Sequence, residues 1–237
     1  MNYRTYKEKM ANVTSINFSG DETSEIAVKI KSALDKALAN DHKLPEGILT
    51  LIGMSGKKYR MLINNLIASI SDARYLEVGS WAGSTACSAM FGNTLRAVCI
   101  DNWSQFEGPK DVFHSNVNAI LTPAINFSFI ENDFRQVNFA SIGKFNVYLF
   151  DGPHDHDDQY DGIAMALPAL DDQFVLVVDD WNWRQPREGT ISAISKLGLK
   201  VLTSLEIRTT DNDTDGAEFG QNGDWHNGYF IAVVSKV

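Results

Sequence analysis

The sequence is short of cysteine, proline and positive charge, and it has no long apolar run. Its two cysteines, Cys87 and Cys99, fall inside a predicted helix and a predicted strand. That excludes a disulfide framework and points to burial as small hydrophobes. No histidine stands near them at ligand spacing, which excludes a zinc site of the finger type. Lysine and arginine number 21 against 30 acidic residues, a formal net charge of −9. Neutralising phosphates needs clustered cations, so no nucleic-acid partner is expected. No stretch approaches the roughly 18 apolar residues of a membrane span, so no membrane association is expected. The opening MNYRTYKEKM is charged and has no apolar core of a signal peptide. The expectation is a cytoplasmic protein. There is no internal repeat and no low-complexity tract.

What is present fits one α/β domain with an N-terminal extension: 237 residues, 44% of them hydrophobic. Residues 1–45 read as an arm and helix, and residues 46–237 as the main domain. The arm, residues 1–22, is polar and weakly patterned. From Thr23, Ile26, Ile30, Ala33, Leu34, Ala37 and Leu38 recur at helical spacing up to Asn40. A second helix follows Ser55, its predicted cap, with Tyr59, Leu62, Ile63, Leu66, Ile67 and Ile70 on one stripe. Strands are then expected at Arg74–Val78, Ala97–Asp101, Phe127–Glu131, Val147–Asp151 and Phe174–Asp179. Helices are expected near Ser84–Phe91, Val112–Leu121, Phe134–Ile142, Gln159–Leu167 and Ile191–Leu197. This alternation, with continuous apolar strands such as VYLF and FVLVV, predicts a doubly wound, mostly parallel sheet covered on both faces. Lys200–Arg208 and Tyr229–Lys236 are strand-like and have no helix between them, so they should pair antiparallel at the sheet edge. The fold class is therefore α/β, a Rossmann-like sheet of seven strands with an antiparallel last strand, plus N-terminal helices.

In open α/β sheets ligands bind beyond the carboxyl ends of the strands. Those ends carry Glu77 with Gly79, then Asp101, Asp133, Asp151, and Asp179 with Asp180. A carboxylate at or near every one of five strand ends points to a site. The turn Glu77-Val78-Gly79-Ser80-Trp81-Ala82-Gly83-Ser84-Thr85 has glycines spaced for close backbone approach and then a helix start. Asp101, eighteen residues past Gly83, is placed to accept ribose hydroxyls. The Gly-x-Gly-x-x-Gly fingerprint of a nicotinamide dinucleotide site is absent, and no Lys or Arg near the turn suits a pyrophosphate.

Glu-x-Gly-x-x-x-Gly, the acidic end of the second strand and the terminal antiparallel pair resemble class I S-adenosylmethionine-dependent methyltransferases. Gly53-Met54-Ser55-Gly56, Asp151-Gly152-Pro153-His154 and Asp179-Asp180-Trp181 bring the chain closer to the small-molecule O-methyltransferases of the catechol, caffeoyl-CoA and macrocin type. The likeness runs from about Leu44 to the C-terminus. It implies that S-adenosylmethionine is the cofactor. Glu77, Gly79 and the neighbouring Ser80, Trp81, Gly83, Ser84 and Thr85 would hold its methionine part. Asp101 with Asn102 would take the ribose, Asp133 and Phe134 would flank the adenine with Trp103 nearby, and Met54 and Ser55 would close over the cofactor. Asp151 lies at the same site.

Three carboxylates converging from neighbouring strand ends, Asp151, Asp179 and Asp180, repel one another unless protonated or bridged by a cation. An oxygen-only set suits Mg²⁺ or Ca²⁺ better than zinc, and the resemblance implies Mg²⁺. One of Asp179 and Asp180 capping the next turn is the plainer alternative. His154 stands where the catechol and caffeoyl-CoA enzymes carry a lysine. Its imidazole suits a general base near neutrality, so His154 and Asp151 are the expected catalytic residues. Trp181, Asn182, Trp183 and Arg184 are expected at the mouth, and the polar stretch Thr210–Asn227 as a lid with Asp224-Trp225-His226 meeting the acceptor. The expected reaction is Mg²⁺-assisted methylation of a hydroxyl on a small molecule, a sugar or secondary metabolite. A metal-independent methyltransferase and a catalytically lapsed cofactor-binding protein are the alternatives. A homodimer stays open, with the N-terminal helix as its surface.

Overall fold

The computed structural model describes residues 15–236. Among these, eight strands form one sheet: β1 (Ser15–Gly20), β2 (Ala73–Val78), β3 (Leu95–Asp101), β4 (Ile125–Glu131), β5 (Phe145–Phe150), β6 (Leu170–Val178), β7 (Leu199–Arg208) and β8 (Tyr229–Lys236). Their order is β1-β7-β8-β6-β5-β2-β3-β4. The run β4-β3-β2-β5-β6 is parallel, and β8 lies antiparallel to both β6 and β7. The chain winds outward from β2 to β3 and β4, then returns to β5 on the other side of β2. The crevice beyond β2 and β5 is therefore the topological switch point, where open α/β sheets bind ligands.

The helices are α1 (Glu25–Leu38), α2 (Glu46–Leu49), α3 (Lys57–Ser69), α4 (Ser84–Met90), α5 (Lys110–Ile120), α6 (His156–Ala166) and α7 (Arg184–Lys196). Alternate residues of each central strand feed opposite cores, as the two-residue period of a strand requires. Tyr75, Ala97, Cys99, Val147 and Leu149 face the core under α1, α3, α4 and α5. Leu76, Val98, Tyr148, Phe150 and Leu176 face the core under α6 and α7. Both cysteines are buried and free. No helix among the described residues is long and apolar enough to cross a membrane.

Four expectations are corrected. Ser15–Gly20, placed in a weakly patterned arm packing on the domain or on a partner subunit and given no strand, is an edge strand paired antiparallel with β7. Its Ile16 and Phe18 pack against the core on alternate positions, a period too short to stand out in a polar stretch. The rest of the arm, residues 1–14, lies outside the described residues. Phe134–Ile142 is not a helix but two short 3₁₀ turns, Phe134–Gln136 and Phe139–Ser141. The non-helical backbone of Val137 and Asn138 separates them. Ser55 does not cap α3. Gly56 occupies the cap position, and the Ser55 hydroxyl is engaged by Arg60 and Ser84 instead. Residues 210–227 are not a free lid. Trp225 is fully buried and His226 and Asn227 nearly so, which anchors the C-terminal half of the segment to the domain.

The approach of α6 to the sheet depends on Gly162, whose absent side chain leaves room for the Phe150 ring. Tyr148 fixes the same turn by donating its hydroxyl to the Gly162 carbonyl at 2.7 Å. Gly162→Ala should overpack this contact and destabilise the protein by about 1–3 kcal/mol, read as a lower urea midpoint. An unchanged midpoint would show that the helix can move away at no cost.

Candidate cofactor and active site

The glycine turn leaves β2 through Gly79, whose φ of +87° places it in the left-handed region. Any side chain there would run into the Asp151 carbonyl at the end of β5, so only glycine lets the two strand ends meet. Gly83, also left-handed, occupies the cap position of α4. Asp101, at the end of β3, fixes the turn. Its Oδ2 accepts the backbone N–H groups of Ser80 and Trp81, both at 2.8 Å, and its Oδ1 accepts that of Trp103 at 2.7 Å.

Beside this turn lies a cleft of about 140 Å³. Met54, Gly79, Trp81, Asp101, Asn102, Asp133, Phe134, Asp151 and His154 line it, all of them named from the sequence. So do Ser104, Gln105, Phe106, Asn132 and Arg135. Of these five, Phe106, just past Asp101, was expected with Trp103 near the adenine. Asn132 and Arg135 flank the legible pair Asp133–Phe134 but carry no motif of their own. Asp133 caps the 3₁₀ turn by accepting Arg135 N–H at 2.9 Å. The Arg135 guanidinium stacks over Phe134 and pairs with Asp158 and Asp161.

The remaining named residues sit behind the cleft wall. Ser84 and Thr85 are buried at the start of α4, and the Ser84 hydroxyl meets that of Ser55 at 2.9 Å. Trp103 turns away into a cluster with Phe113 and Phe129. Glu77 is fully buried, hydrogen-bonded by the Tyr75 hydroxyl, with its other oxygen unpartnered. Burial raises its carboxyl to about 7.

Next to Asp151 and His154, which line the cleft, the acidic strand ends meet. Asp151 and Asp179 share a hydrogen bond, and both carboxyls are pushed well above the ordinary range. Burial is the main cause, with the negative charge of the neighbouring aspartates adding to it. Asp180 has left-handed backbone, φ +53°. Its Oδ2 lies 3.1 Å from His154 Nε2, its Oδ1 accepts Asn227 Nδ2 at 2.9 Å, and His226 Nε2 stands 3.9 Å away. His154 packs edge-on against Trp183. Trp181, expected at the mouth, is buried instead, stacked on Phe230 with its indole N–H donated to Glu206. Asn182 is likewise buried, holding Thr209. Among the described residues, no group of three or more His, Cys, Asp or Glu is arranged as a metal site.

This topology, with the cleft at its switch point, is that of the class I S-adenosylmethionine-dependent methyltransferases. Residues 76–181 match the family model described as a methyltransferase domain. An O-methyltransferase from Bacillus cereus, solved with SAH, is similar at 14% identity and a TM-score of 0.50, covering 88% of this chain and 91% of its own. The O-methyltransferase TomG from Streptomyces achromogenes, involved in tomaymycin synthesis and solved with SAM, is similar at 14% identity and a TM-score of 0.52, over 90% and 91%. TrmN from Thermus thermophilus is similar at 14% identity and a TM-score of 0.54. The match covers 80% of this chain, which spans about half of TrmN, 52%. No curated protein sequence matches.

The raised Glu77 carboxyl has a stability consequence. Between its ordinary value of 4.5 and about 7 the folded chain keeps a proton that the unfolded chain releases. The group's contribution to stability therefore falls as pH rises through that window. Glu77→Gln keeps the Tyr75 partner and removes the titration. In the ligand-free protein, the stability of the variant relative to the parent should rise between these pH values, by on the order of 3 kcal/mol in all. Denaturant melts across that range measure it, and a difference independent of pH would refute the assignment.

Proposed function

We propose that the protein transfers the methyl group of S-adenosylmethionine to a hydroxyl of a small molecule, a sugar or a secondary metabolite. One observation carries the reading: a single cleft runs from the glycine turn and Asp101, past Asp133 and Phe134, to Asp151 and His154. A cofactor lying there would present its reactive end beside an imidazole that Asp180 holds in place. Met54, Gly79 and Trp81 would contact the methionine part, with Ser80, Gly83, Ser84 and Thr85 shaping the turn from behind. Asp101 and Asn102 would face the ribose, and Asp133 and Phe134 the adenine. His154 would take the acceptor proton while the acceptor oxygen is aligned with the methyl. The acidic surface, and the O-methyltransferases among structures of similar fold and length, support a small acceptor over a nucleic acid.

The side chains at the strand ends are not arranged as a metal site as they stand, but their chemistry, carboxylate oxygens alone, supports a hard divalent cation. Asp151 and Asp179 are buried carboxyls in contact, and such a pair needs either a proton or a cation between its members. Asp180, although engaged by His154 and Asn227, keeps a lone pair on each oxygen. Asp151, Asp179 and Asp180 would hold Mg²⁺, which when bound lowers the pKa of an acceptor hydroxyl. A metal-free transfer to another acceptor is the second reading, favoured by the closed His154–Asp180 pair.

Methyl transfer from labelled S-adenosylmethionine to a panel of hydroxylated small molecules, with Mg²⁺ or with EDTA, separates these readings. His154→Ala should lower kcat by about 10²–10⁴-fold. If Mg²⁺ is used, EDTA and Asp179→Asn should each abolish turnover, and activity indifferent to both would establish the metal-free reading. Cofactor binding with no product from any acceptor would leave only a non-catalytic role.

A further inference from the structure

Arg60, on α3, is fully buried, and its environment is unusual for a charge. Its Nε donates to the Ser55 carbonyl and hydroxyl, and its Nη1 to the carbonyls of Ile48, Leu49 and Leu51. These are neutral acceptors. Among the described residues no carboxylate pairs with it, and its Nη2 is buried with no hydrogen-bond partner at all. Leaving a buried guanidinium without a counter-charge is costly, and a free donor on it adds to the cost. Burial lowers its pKa, but only to about 10, so it stays charged at neutral pH.

The free Nη2 lies against Gly53, the residue before Met54 in the chain. It lies 3.3 Å from where a side chain on Gly53 would begin, a position that the Ser84 side chain already fills. Ser55 joins the two, its hydroxyl 3.0 Å from Arg60 Nε and 2.9 Å from Ser84 Oγ. The next residue after Gly53, Met54, lines the cleft. A buried cation and two hydroxyls thus converge behind the segment expected to close over the cofactor.

We infer that Arg60 is the counter-charge for the α-carboxylate of the cofactor's methionine moiety, with Ser55 and Ser84 completing that end of the site. The inference rests on the reading that this cleft takes S-adenosylmethionine.

Two probes titrated calorimetrically into the full chain test it: S-adenosylhomocysteine, and 5′-methylthioadenosine, which lacks the amino-acid end. Arg60→Met should weaken the first about 30-fold or more and leave the second unchanged. Equal weakening of both, or of neither, would overturn the inference and leave Arg60 a purely structural anchor of the carbonyls around α2. Should Arg60→Met fail to fold, the parent protein decides. The neutral carboxamide of S-adenosylhomocysteine should bind about 30-fold more weakly than the acid. Because the partner is buried, that gap should persist from about 0.05 to about 0.5 M salt. A gap below about 3-fold, or one that salt removes, would overturn it. If 5′-methylthioadenosine binds the parent as tightly as S-adenosylhomocysteine, the role of Arg60 fails alone. If neither adenosyl probe binds, the cofactor reading fails first.

Discussion

The site depends on the Asp101 carboxylate and the backbone it grips. Three N–H groups, from Ser80, Trp81 and Trp103, converge on its two oxygens. Charge-assisted bonds of this kind are among the stronger ones a protein makes. They tie the glycine turn after β2 to the end of β3. The contact of Gly79 with the Asp151 carbonyl ties the same turn to the end of β5. Three strand ends are thereby locked together at the switch point, and the cleft is the space that remains. Asp101 is thus already a structural organiser before any ribose arrives, with one lone pair left for a ligand by the count of four on a carboxylate.

A second group of buried charges sits a few residues further out and obeys a different balance. Asp151 and Asp179 are desolvated and close together, so the arrangement favours a proton or a cation between them. Asp180 is satisfied by His154 and Asn227 at the expense of left-handed backbone. Non-glycine residues in that region persist only where surrounding contacts over-determine them. The acidic end of the cleft is therefore held under electrostatic and conformational strain, while the glycine end is held by matched hydrogen bonds. Binding can use the second. The proposed chemistry would use the first.

Much of this was legible in the sequence because it rests on local rules. The period-two and period-3.6 patterns placed the central strands and most helices within a few residues, and the acidic strand ends together with the family resemblance named nine of the cleft's lining residues. What was not legible was set by tertiary contact. Ser15–Gly20 becomes a strand only because β7 offers an open edge. Phe134–Ile142 has a helix-like apolar content, yet the backbone breaks at Val137 and Asn138. Trp181 reads as a mouth residue beside two aspartates, but its ring finds Phe230 on β8. Arg60 looks like the polar face of an amphipathic helix. Only the buried surroundings of α3, where Asn64 is also fully enclosed, show that the helix has almost no solvent face.

The most direct test of the account is the position of S-adenosylhomocysteine in a crystal of the protein grown with it. The account predicts density for the ligand in the cleft beside Gly79, with the ribose at Asp101 and Asn102 and the adenine against Asp133 and Phe134. Density for the ligand elsewhere, or a cleft that stays empty with S-adenosylhomocysteine while it accepts a nicotinamide dinucleotide, would contradict it.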